Sequence, residues 1–333
     1  MTMRVSVIGA GSWGTTIAAM LAIKGVDTTL WAYEDWLAKE MPEVRENKTY
    51  LPGVKLPESL KITNSLNDAL LGAGMVVCVV PTQAIRSVFK DAKGLIGPDA
   101  VVINASKGLE AKTFLTCRSV LLETLGKEFG DRLGVLSGPT FAKELSKGLP
   151  AAACVAAPSL DAAEAAQDVF STKYFRVYTN TDPVGVELGG TLKNVMAIAS
   201  GISDGLGLGF NSRSALITRA LAEMTRLGVK LGAKAETFYG LSGMGDLVLT
   251  CTGPLSRNYT VGFEIGQGKT LKELMEGRKT VAEGVMTAAS VVELSRRSNI
   301  EMPIAEEVCK VLNEGKSPRD AVMALMTREL KGE

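Results

Sequence analysis

Histidine is absent from the 333 residues of this chain. Any proton transfer must therefore use lysine, aspartate, glutamate, tyrosine or cysteine, which excludes histidine-dependent dehydrogenases and Ser-His-Asp hydrolases. The five cysteines are odd in number, widely scattered and without a CxxC pair. They predict neither a disulfide framework nor a metal site, and we expect a metal-free protein in a reducing, cytoplasmic compartment.

The sequence also lacks an excess of charge and a long apolar run. Its net charge is +1 with both signs interleaved, so it carries no electrostatic footprint for nucleic acid or an anionic membrane. The apolar N-terminus is interrupted by Gly9, Gly11 and Gly14, unlike a signal peptide, and no membrane insertion is expected. We expect a small-molecule partner. The length exceeds that of most single cores and predicts two domains.

A glycine-rich turn near the N-terminus is the most informative motif. The nearly continuous apolar run Val5–Ile8 is typical of a strand buried on both faces, and a GxGxxG pattern over residues 9–14 follows at once. A helical stretch over residues 15–24, a stop at Gly25 and a second apolar run over residues 28–31 complete a βαβ unit. This context predicts a dinucleotide site with the pyrophosphate at the helix N-terminus.

The residues after the second strand bear on which nicotinamide nucleotide is bound. An acid about twenty residues past the glycines commonly holds the ribose 2′-hydroxyl of NAD. Ala32 and Tyr33 occupy that place, and Glu34 and Asp35 lie just beyond it. These two acids are within reach of a ribose, or they serve as first-turn acids of the next helix. With no adjacent arginine to bind a 2′-phosphate, the sequence leaves NAD and NADP both open.

Further apolar runs extend the predicted sheet to about eight strands. They occupy residues 75–80, 101–105, 133–136, 151–156 and 175–178, with helices predicted over residues 65–71, 84–90, 141–147 and 160–170 and an irregular excursion over residues 46–63. The pattern predicts an N-terminal Rossmann-like, doubly wound and mostly parallel sheet. Ligands bind outside the carboxyl ends of such strands, where Lys107 follows one strand and Thr140 suits an N-cap or N-terminal helix position. A solvated loop lysine is the alternative for Lys107.

Strand signals cease after residue 182, and the remainder of the chain is almost wholly helical in pattern. We therefore predict a dinucleotide-binding domain over residues 1–182 and a helical substrate-binding domain over residues 183–333. One predicted helix has an apolar stripe whose members are Ile217, Leu221, Met224 and Gly228. The charged residues predicted to lie mainly off that stripe are Arg213, Arg219, Glu223 and Arg226. Residues 201–209 are expected to form a loop or helix break because they are rich in glycine.

Two helical-domain stretches carry polar groups that packing alone does not require. In residues 187–195, two glycines are predicted to precede a helix that carries Lys193 in an otherwise apolar turn, where a surface lysine is the alternative interpretation. Asp246 opens the second stretch and can simply cap its helix. Farther along, Ser256, Arg257 and Asn258 offer one cation and two neutral hydrogen-bonding side chains, a combination that suits phosphate oxygens.

These motifs together resemble the bacterial NAD(P)-dependent glycerol-3-phosphate dehydrogenases, from Arg4 to about Leu325. The resemblance is carried by GAGSWG (9–14), SKGL (106–109), SGPTFAKE (137–144), LGGTLKNV (188–195), GDLVLTCT (245–252), SRN (256–258) and VAEG (281–284). Tyr33 stands where the family carries arginine or histidine, and Tyr259 stands where it often carries another basic residue.

The resemblance implies a role for each matching position. Lys193 is implied to take the proton from the C2 hydroxyl of glycerol 3-phosphate and to return it when dihydroxyacetone phosphate is reduced. The implied substrate contacts are Lys107, Gly138, Thr140, Lys193, Asp246, Ser256, Arg257 and Asn258. The implied NAD or NADP contacts are Ser12, Trp13, Tyr33, Lys107, Ala142, Arg257, Val281 and Glu283. The glycine motif itself predicts that Gly9, Gly11 and Gly14 also lie at the cofactor. The family further implies a role in glycerophospholipid biosynthesis.

The chemistry of lysine agrees with this assignment. A lysine titrates near 10.4 in water, so a lysine base at neutral pH needs its charged form disfavoured by burial or by a second cation such as Lys107. Asp246 is expected to orient the amine, and Arg257 to couple substrate and cofactor binding. The alternatives are a lysine-dependent 3-hydroxyacid or 6-phosphogluconate-type dehydrogenase and a non-catalytic nucleotide sensor. Apolar helical faces predict a homodimer.

Overall fold

The computed structural model describes residues 3–276, 282–330 and 332. Val281, one of the predicted cofactor contacts, lies outside the described residues. Contacts divide the chain into two compact units, one of residues 1–107 and 115–187 and the other of residues 108–114 and 188–333. Each unit is built around its own set of elements.

The first unit is built on an eight-stranded, mostly parallel sheet. Eight of the strands described in this unit form the sheet, and the other two, β3 and β4, form a separate hairpin. In chain order the strands are β1 (Val5–Ile8), β2 (Thr28–Trp31), β3 (Glu46–Asn47), β4 (Leu51–Lys55), β5 (Lys61–Thr63), β6 (Met75–Cys78), β7 (Val101–Asn104), β8 (Leu133–Ser137), β9 (Ala151–Ala156) and β10 (Phe175–Asn180). The sheet order is β10-β9-β8-β7-β6-β1-β2-β5, and only β8 and β9 pair antiparallel within it. The Rossmann-like, mostly parallel sheet is confirmed.

Helices cover both faces of this sheet. Those in the first part of the chain are α1 (Ser12–Lys24), α2 (Asp35–Val44), α3 (Leu66–Leu70), α4 (Ile85–Ala92), α5 (Cys117–Leu125), α6 (Ala142–Leu145) and α7 (Leu160–Phe170). Val5 and Val7 point into one apolar cluster with Ile17 of α1, whereas Ile8 lies in another with Phe89 of α4. Burial on both faces explains why the strands are continuous apolar runs rather than alternating ones.

Two short segments differ from the sequence prediction. Residues 46–63 were expected to be irregular, yet β3 and β4 form an antiparallel hairpin, and β5 adds a parallel strand beside β2. Each strand is too short to give an apolar pattern. Pairing across a short turn determines the conformation of β3 and β4, and pairing with the distant β2 determines that of β5. Thr140 is not the helix N-cap: α6 is capped by Phe141, and the Thr140 hydroxyl donates to the Gly138 carbonyl at 3.2 Å.

The regular elements described in the second part of the chain are all helices. Its helices are α8 (Pro183–Gly205), α9 (Gly209–Lys230), α10 (Asp246–Thr252), α11 (Arg257–Gly266), α12 (Leu271–Met275), α13 (Glu283–Arg297), α14 (Pro303–Asn313) and α15 (Pro318–Met326). The predicted stripe on α9 is largely buried, although Ile217 is only partly covered. None of the described helices is both long enough and apolar enough to cross a membrane.

The structure refines three expectations for this helical part. Glu223 is 2% exposed rather than solvent-facing, because its carboxylate accepts the backbone N–H of Ile304 at the start of α14. Gly189 and Gly190 lie inside α8 rather than ahead of it, so that expectation was wrong. The helix break expected within residues 201–209 is confirmed at residues 206–208, although α8 continues through Gly201 to Gly205 before α9 begins at Gly209. Glycine weakens a helix by about 1 kcal/mol, but Gly189, Gly201 and Gly205 permit neighbouring backbone to approach α8 closely.

Candidate active site

The glycine turn between β1 and α1 has the backbone geometry of a phosphate-binding loop. Gly9 has φ +118°, and a side chain there would come within 2.7 Å of the Val79 carbonyl oxygen. A Cβ at Gly14 would collide with the Gly9 carbonyl, whereas a Cβ at Gly11 would meet open space. Gly9 and Gly14 therefore shape a tight turn, and Gly11 leaves its backbone open to a ligand.

The first turn of α1 favours an anion. Gly11 is its N-cap, no side chain caps its N–H groups, and its first turn holds no acidic residue. Ser12 and Trp13 are partly buried there, and the Thr16 hydroxyl lies 3.4 Å from the Ala142 carbonyl oxygen, which brings α6 beside α1. Free N–H groups and the helix dipole suit the pyrophosphate of a dinucleotide, so these residues fit the expected cofactor.

Lys107 lies at the carboxyl edge of the sheet, after β7. It is partly buried, and its Nζ lies 3.5 Å from the carbonyl oxygen of Gly138 at the end of β8. Gly138 packs on β9, because a Cβ there would come within 2.8 Å of the Ala153 Cα atom. The structure thus brings together Lys107, Gly138 and Thr140, three predicted substrate contacts, from two adjacent strands.

A buried carboxylate supports this edge of the sheet. Glu187 accepts hydrogen bonds from the Asn104 amide at 3.1 Å and from the Arg118 backbone N–H at 2.6 Å. The Asn104 amide also donates to the Ser106 carbonyl, beside Lys107, at 3.0 Å. Burial raises the pKa of Glu187 to about 7, although its hydrogen-bond donors oppose that rise.

Lys193 is buried in the second unit, at 7% exposure, and is not a surface lysine. Its Nζ donates to Asp246 Oδ1 at 2.8 Å and to Thr250 Oγ1 at 2.7 Å. Asp246 is 1% exposed and is the first residue of α10, so its carboxylate binds the lysine rather than acting simply as a cap. Burial disfavours the ammonium form of Lys193 whereas the carboxylate favours it.

Close contacts pack neighbouring elements against α8, the helix that carries Lys193. A Cβ at Gly189 of α8 would approach the Ser242 carbonyl carbon to 3.0 Å, just before α10. Farther along α8, Gly205 lies against Gly266 of α11, where an added Cβ would come within 3.0 Å of the Gly266 Cα atom. These contacts pack α11 and the segment before α10 directly against the backbone of α8.

The start of α11 carries the predicted Ser-Arg-Asn group. Ser256 is its N-cap and accepts the Tyr259 N–H at 3.2 Å. Arg257 is exposed and makes no ion pair within the described residues. Asn258 is buried; its amide donates to Asn194 Oδ1 at 3.0 Å and its Oδ1 accepts the Gly284 N–H at 2.9 Å. Gly284, which makes this hydrogen bond, directly follows Glu283, a predicted cofactor contact.

The sequence interpretation missed Asn194 and Thr250 as members of this site. Asn194 is buried, and its Nδ2 has no hydrogen-bond partner within the described residues. Asn194 follows Lys193 directly, and Thr250 lies one helical turn after Asp246 on α10. The i, i+4 spacing of Asp246 and Thr250 is the signal that indicates a shared helix face.

Models of two domain families match the chain. The N-terminal domain of NAD-dependent glycerol-3-phosphate dehydrogenase matches residues 4–163, and the C-terminal domain of the same enzyme matches residues 182–323. The chain belongs to this family. Glycerol-3-phosphate dehydrogenase [NAD(P)+] of Geobacter sulfurreducens is 55% identical over 333 residues, covering 100% of this chain and 99% of the relative. The Citrifermentans bemidjiense relative of the same name is 53% identical over the same shares.

Solved structures of family members agree with this assignment. Glycerol-3-phosphate dehydrogenase from Coxiella burnetii superposes with a TM-score of 0.93 at 39% identity, covering 98% of this chain and 99% of that one. The Saccharomyces cerevisiae enzyme gives a TM-score of 0.83 at 28% identity, with 96% and 98% covered. Family membership makes the sheet-based unit an NAD(P)-binding fold.

Proposed function

We propose that the protein interconverts sn-glycerol 3-phosphate and dihydroxyacetone phosphate with NAD(P), using Lys193 as general base and acid. The observation that carries this proposal is the buried Lys193 amine, which is held at 2.8 Å by Asp246 and at 2.7 Å by Thr250. Its relatives across the full chain length are named for this reaction. A bound nicotinamide supplies or accepts the hydride.

The amine of Lys193 handles the accompanying proton. In the oxidising direction the neutral amine accepts the proton of the C2 hydroxyl. In the reducing direction the ammonium donates its proton and stabilises the developing alkoxide charge. Asp246 orients the amine and favours its charged form, and burial keeps bulk water from competing for it. The competing effects of burial and Asp246 are what allow one lysine to serve both directions.

Phosphate recognition is proposed for the start of α11. Arg257 is an exposed guanidinium without an ion-pair partner among the described residues, in the first turn of a helix whose N-terminus favours anions. The other proposed substrate contacts are Lys107, Gly138, Thr140, Lys193, Asp246, Ser256 and Asn258. The proposed nucleotide contacts are Gly9, Gly11, Ser12, Trp13, Gly14, Tyr33, Lys107, Ala142, Arg257, Val281 and Glu283.

The proposal extends to the setting of the enzyme. Residues 1–182 serve as the dinucleotide-binding domain and residues 183–333 as the substrate-binding domain. The five free thiols fit a cytoplasmic, reducing environment, although four of them are buried. We further propose a homodimer that supplies glycerol 3-phosphate for phospholipid biosynthesis.

The direct test mixes the purified protein with dihydroxyacetone phosphate and follows nicotinamide absorbance with NADH and with NADPH. Rapid oxidation of either nucleotide supports the proposal. Tight nucleotide binding without oxidation would instead indicate a hydroxyacid substrate or a nucleotide sensor.

A lysine variant tests the assigned base. Lys193→Ala should lower kcat by about a hundredfold or more, because general acid–base catalysis contributes that much, while nucleotide affinity stays close to wild type. Lys230→Ala, at the exposed end of α9, is the matched control. An unchanged kcat in Lys193→Ala would remove Lys193 from the mechanism.

A further inference from the structure

The hairpin of β3 and β4 is tied directly to the glycine turn. The fully buried Asn47 amide donates to the Ala10 carbonyl at 2.8 Å and to the Thr15 hydroxyl at 2.8 Å. Its side-chain oxygen accepts the backbone N–H of Tyr50 at 3.0 Å. Asn47 therefore fixes the residues between β3 and β4 relative to the proposed pyrophosphate site.

Tyr50 extends this connection to the end of β2. Its hydroxyl donates to Glu34 Oε1 at 2.9 Å. Burial, reinforced by the Glu34 carboxylate, raises the pKa of Tyr50, so the tyrosine keeps its proton and remains the donor. β1 and β2 are adjacent with Ile8 opposite Trp31, so the glycine turn and Glu34 leave the sheet at the same edge.

Glu34 does not serve as a helix cap. It occupies the N-cap position of α2, but its side chain makes no capping hydrogen bond. The neighbouring Asp35 carboxylate instead accepts a hydrogen bond from the side-chain amide of Asn64. Of Glu34 and Asp35, Glu34 is therefore the one connected to the glycine turn through the hydrogen bonds of Tyr50 and Asn47.

Two of the cations near the hairpin are paired with other groups. Arg45 pairs with Glu58 at 2.9 Å and donates to the Leu60 carbonyl at 3.0 Å. Lys48 faces Glu40 at 3.7 Å. A 2′-phosphate at this edge would therefore meet a fixed carboxylate, and Arg45 and Lys48 already have carboxylate partners. The exposed Lys39 of α2 and Lys55 of β4 carry the other positive charges in these elements.

We propose that Asn47 and Tyr50 hold Glu34 where its carboxylate accepts a hydrogen bond from the 2′-hydroxyl of the adenosine ribose. The protein therefore binds NADH in preference to NADPH. This inference rests on the proposed function, since it assumes that a nicotinamide nucleotide occupies the glycine turn. A 2′-phosphate carries close to two negative charges at neutral pH and has no proton to donate, so it loses the hydrogen bond and is repelled.

Nucleotide binding, measured without substrate, tests the inference. NADH and NADPH are titrated by fluorescence, and the shift of Tm with each nucleotide is recorded in parallel. We expect wild type to bind NADH about tenfold or more tightly than NADPH, the size expected for one hydrogen bond to a charged group. Glu34→Gln should bring the two dissociation constants close to each other, and high salt should narrow the wild-type ratio.

Two further variants keep the test decisive. Tyr50→Phe removes only the hydroxyl that holds Glu34 and should shift the ratio in the same direction, which protects the test if Glu34→Gln folds poorly. Glu43→Gln removes an exposed charge from the same helix and should leave the ratio unchanged. Equal or tighter NADPH binding by wild type, or an unaltered ratio in Glu34→Gln, overturns the inference. Failure of wild type to bind either nucleotide overturns the proposed function itself.

Discussion

Replacing Glu187 by glutamine should change how stability depends on pH. The Glu187 carboxyl is buried and accepts hydrogen bonds from Asn104 and from the Arg118 backbone N–H. Burial raises its pKa from 4.5 to about 7, against the opposing effects of these donors and of the Arg118 charge. The folded protein therefore holds a proton on this group at pH values where the unfolded chain has already released it.

The sign and size of the effect follow from linkage. Between pH 4.5 and about 7 the folded state binds more protons than the unfolded state, so the free energy of unfolding falls as pH rises. The interval between those pKa values corresponds to about 3 kcal/mol, since one pKa unit is about 1.4 kcal/mol. The loss begins above the unfolded pKa and is complete above the folded one. The glutamine in Glu187→Gln cannot ionise, so the variant should lose this part of the pH-dependent fall in unfolding free energy.

Urea denaturation at a series of pH values from 4.5 to 8 measures the difference. The decline in unfolding free energy across that range should be about 3 kcal/mol smaller in Glu187→Gln than in wild type. Glu164→Gln, which removes an exposed carboxylate from α7, should leave the wild-type decline unchanged. Parallel curves for wild type and Glu187→Gln would show that Glu187 ionises in the folded state as it does in water, contrary to this reasoning.

Two further variants test the site. Asp246→Asn should move the rising limb of kcat/KM for glycerol 3-phosphate oxidation to lower pH, because an amide no longer favours the Lys193 ammonium; a limb that stays in place or moves upward contradicts the assigned pair. Gly14→Ala should weaken NADH binding and destabilise the fold by about 1–3 kcal/mol, because its Cβ collides with the Gly9 carbonyl. Gly94→Ala, where a Cβ meets open space, is its control in calorimetry and titration.

Elements with strong local signals were predictable from the sequence. The sequence predicts a strand at residues 28–31 and a helix at residues 160–170, which are the observed bounds of β2 and α7. Both strand faces are covered, so apolar composition alone specifies the strand, and Ser159 marks the helix start by accepting the Ala162 N–H. Such signals lie within the segment itself.

Features that depend on a distant partner were not predictable. Nothing near Glu223 in sequence indicates that it binds the start of α14, and nothing near Asn47 indicates that it binds the glycine turn. Gly201 looks like a helix breaker, but it permits α11 to pack on α8. In each case the residue is used for a long-range contact that overrides its local tendency. The residues of the site were identified mainly from the motifs shared with the family, and the stretches around Lys193 and Asp246 also stood out because packing alone does not require their polar groups.

In this chain without histidine, different groups should control the pH dependence of stability and the pH dependence of activity. The buried carboxyls of Glu187 and Glu223 have pKa values raised to about 7, and both accept backbone N–H groups rather than touching the proposed reacting lysine. Their ionisation therefore lowers the free energy of unfolding across the same interval in which a histidine would titrate. Proton transfer by Lys193 instead depends on its pairing with Asp246. Variants at Glu187 should therefore alter the stability profile without moving the pH–rate limb, and Asp246→Asn should move that limb.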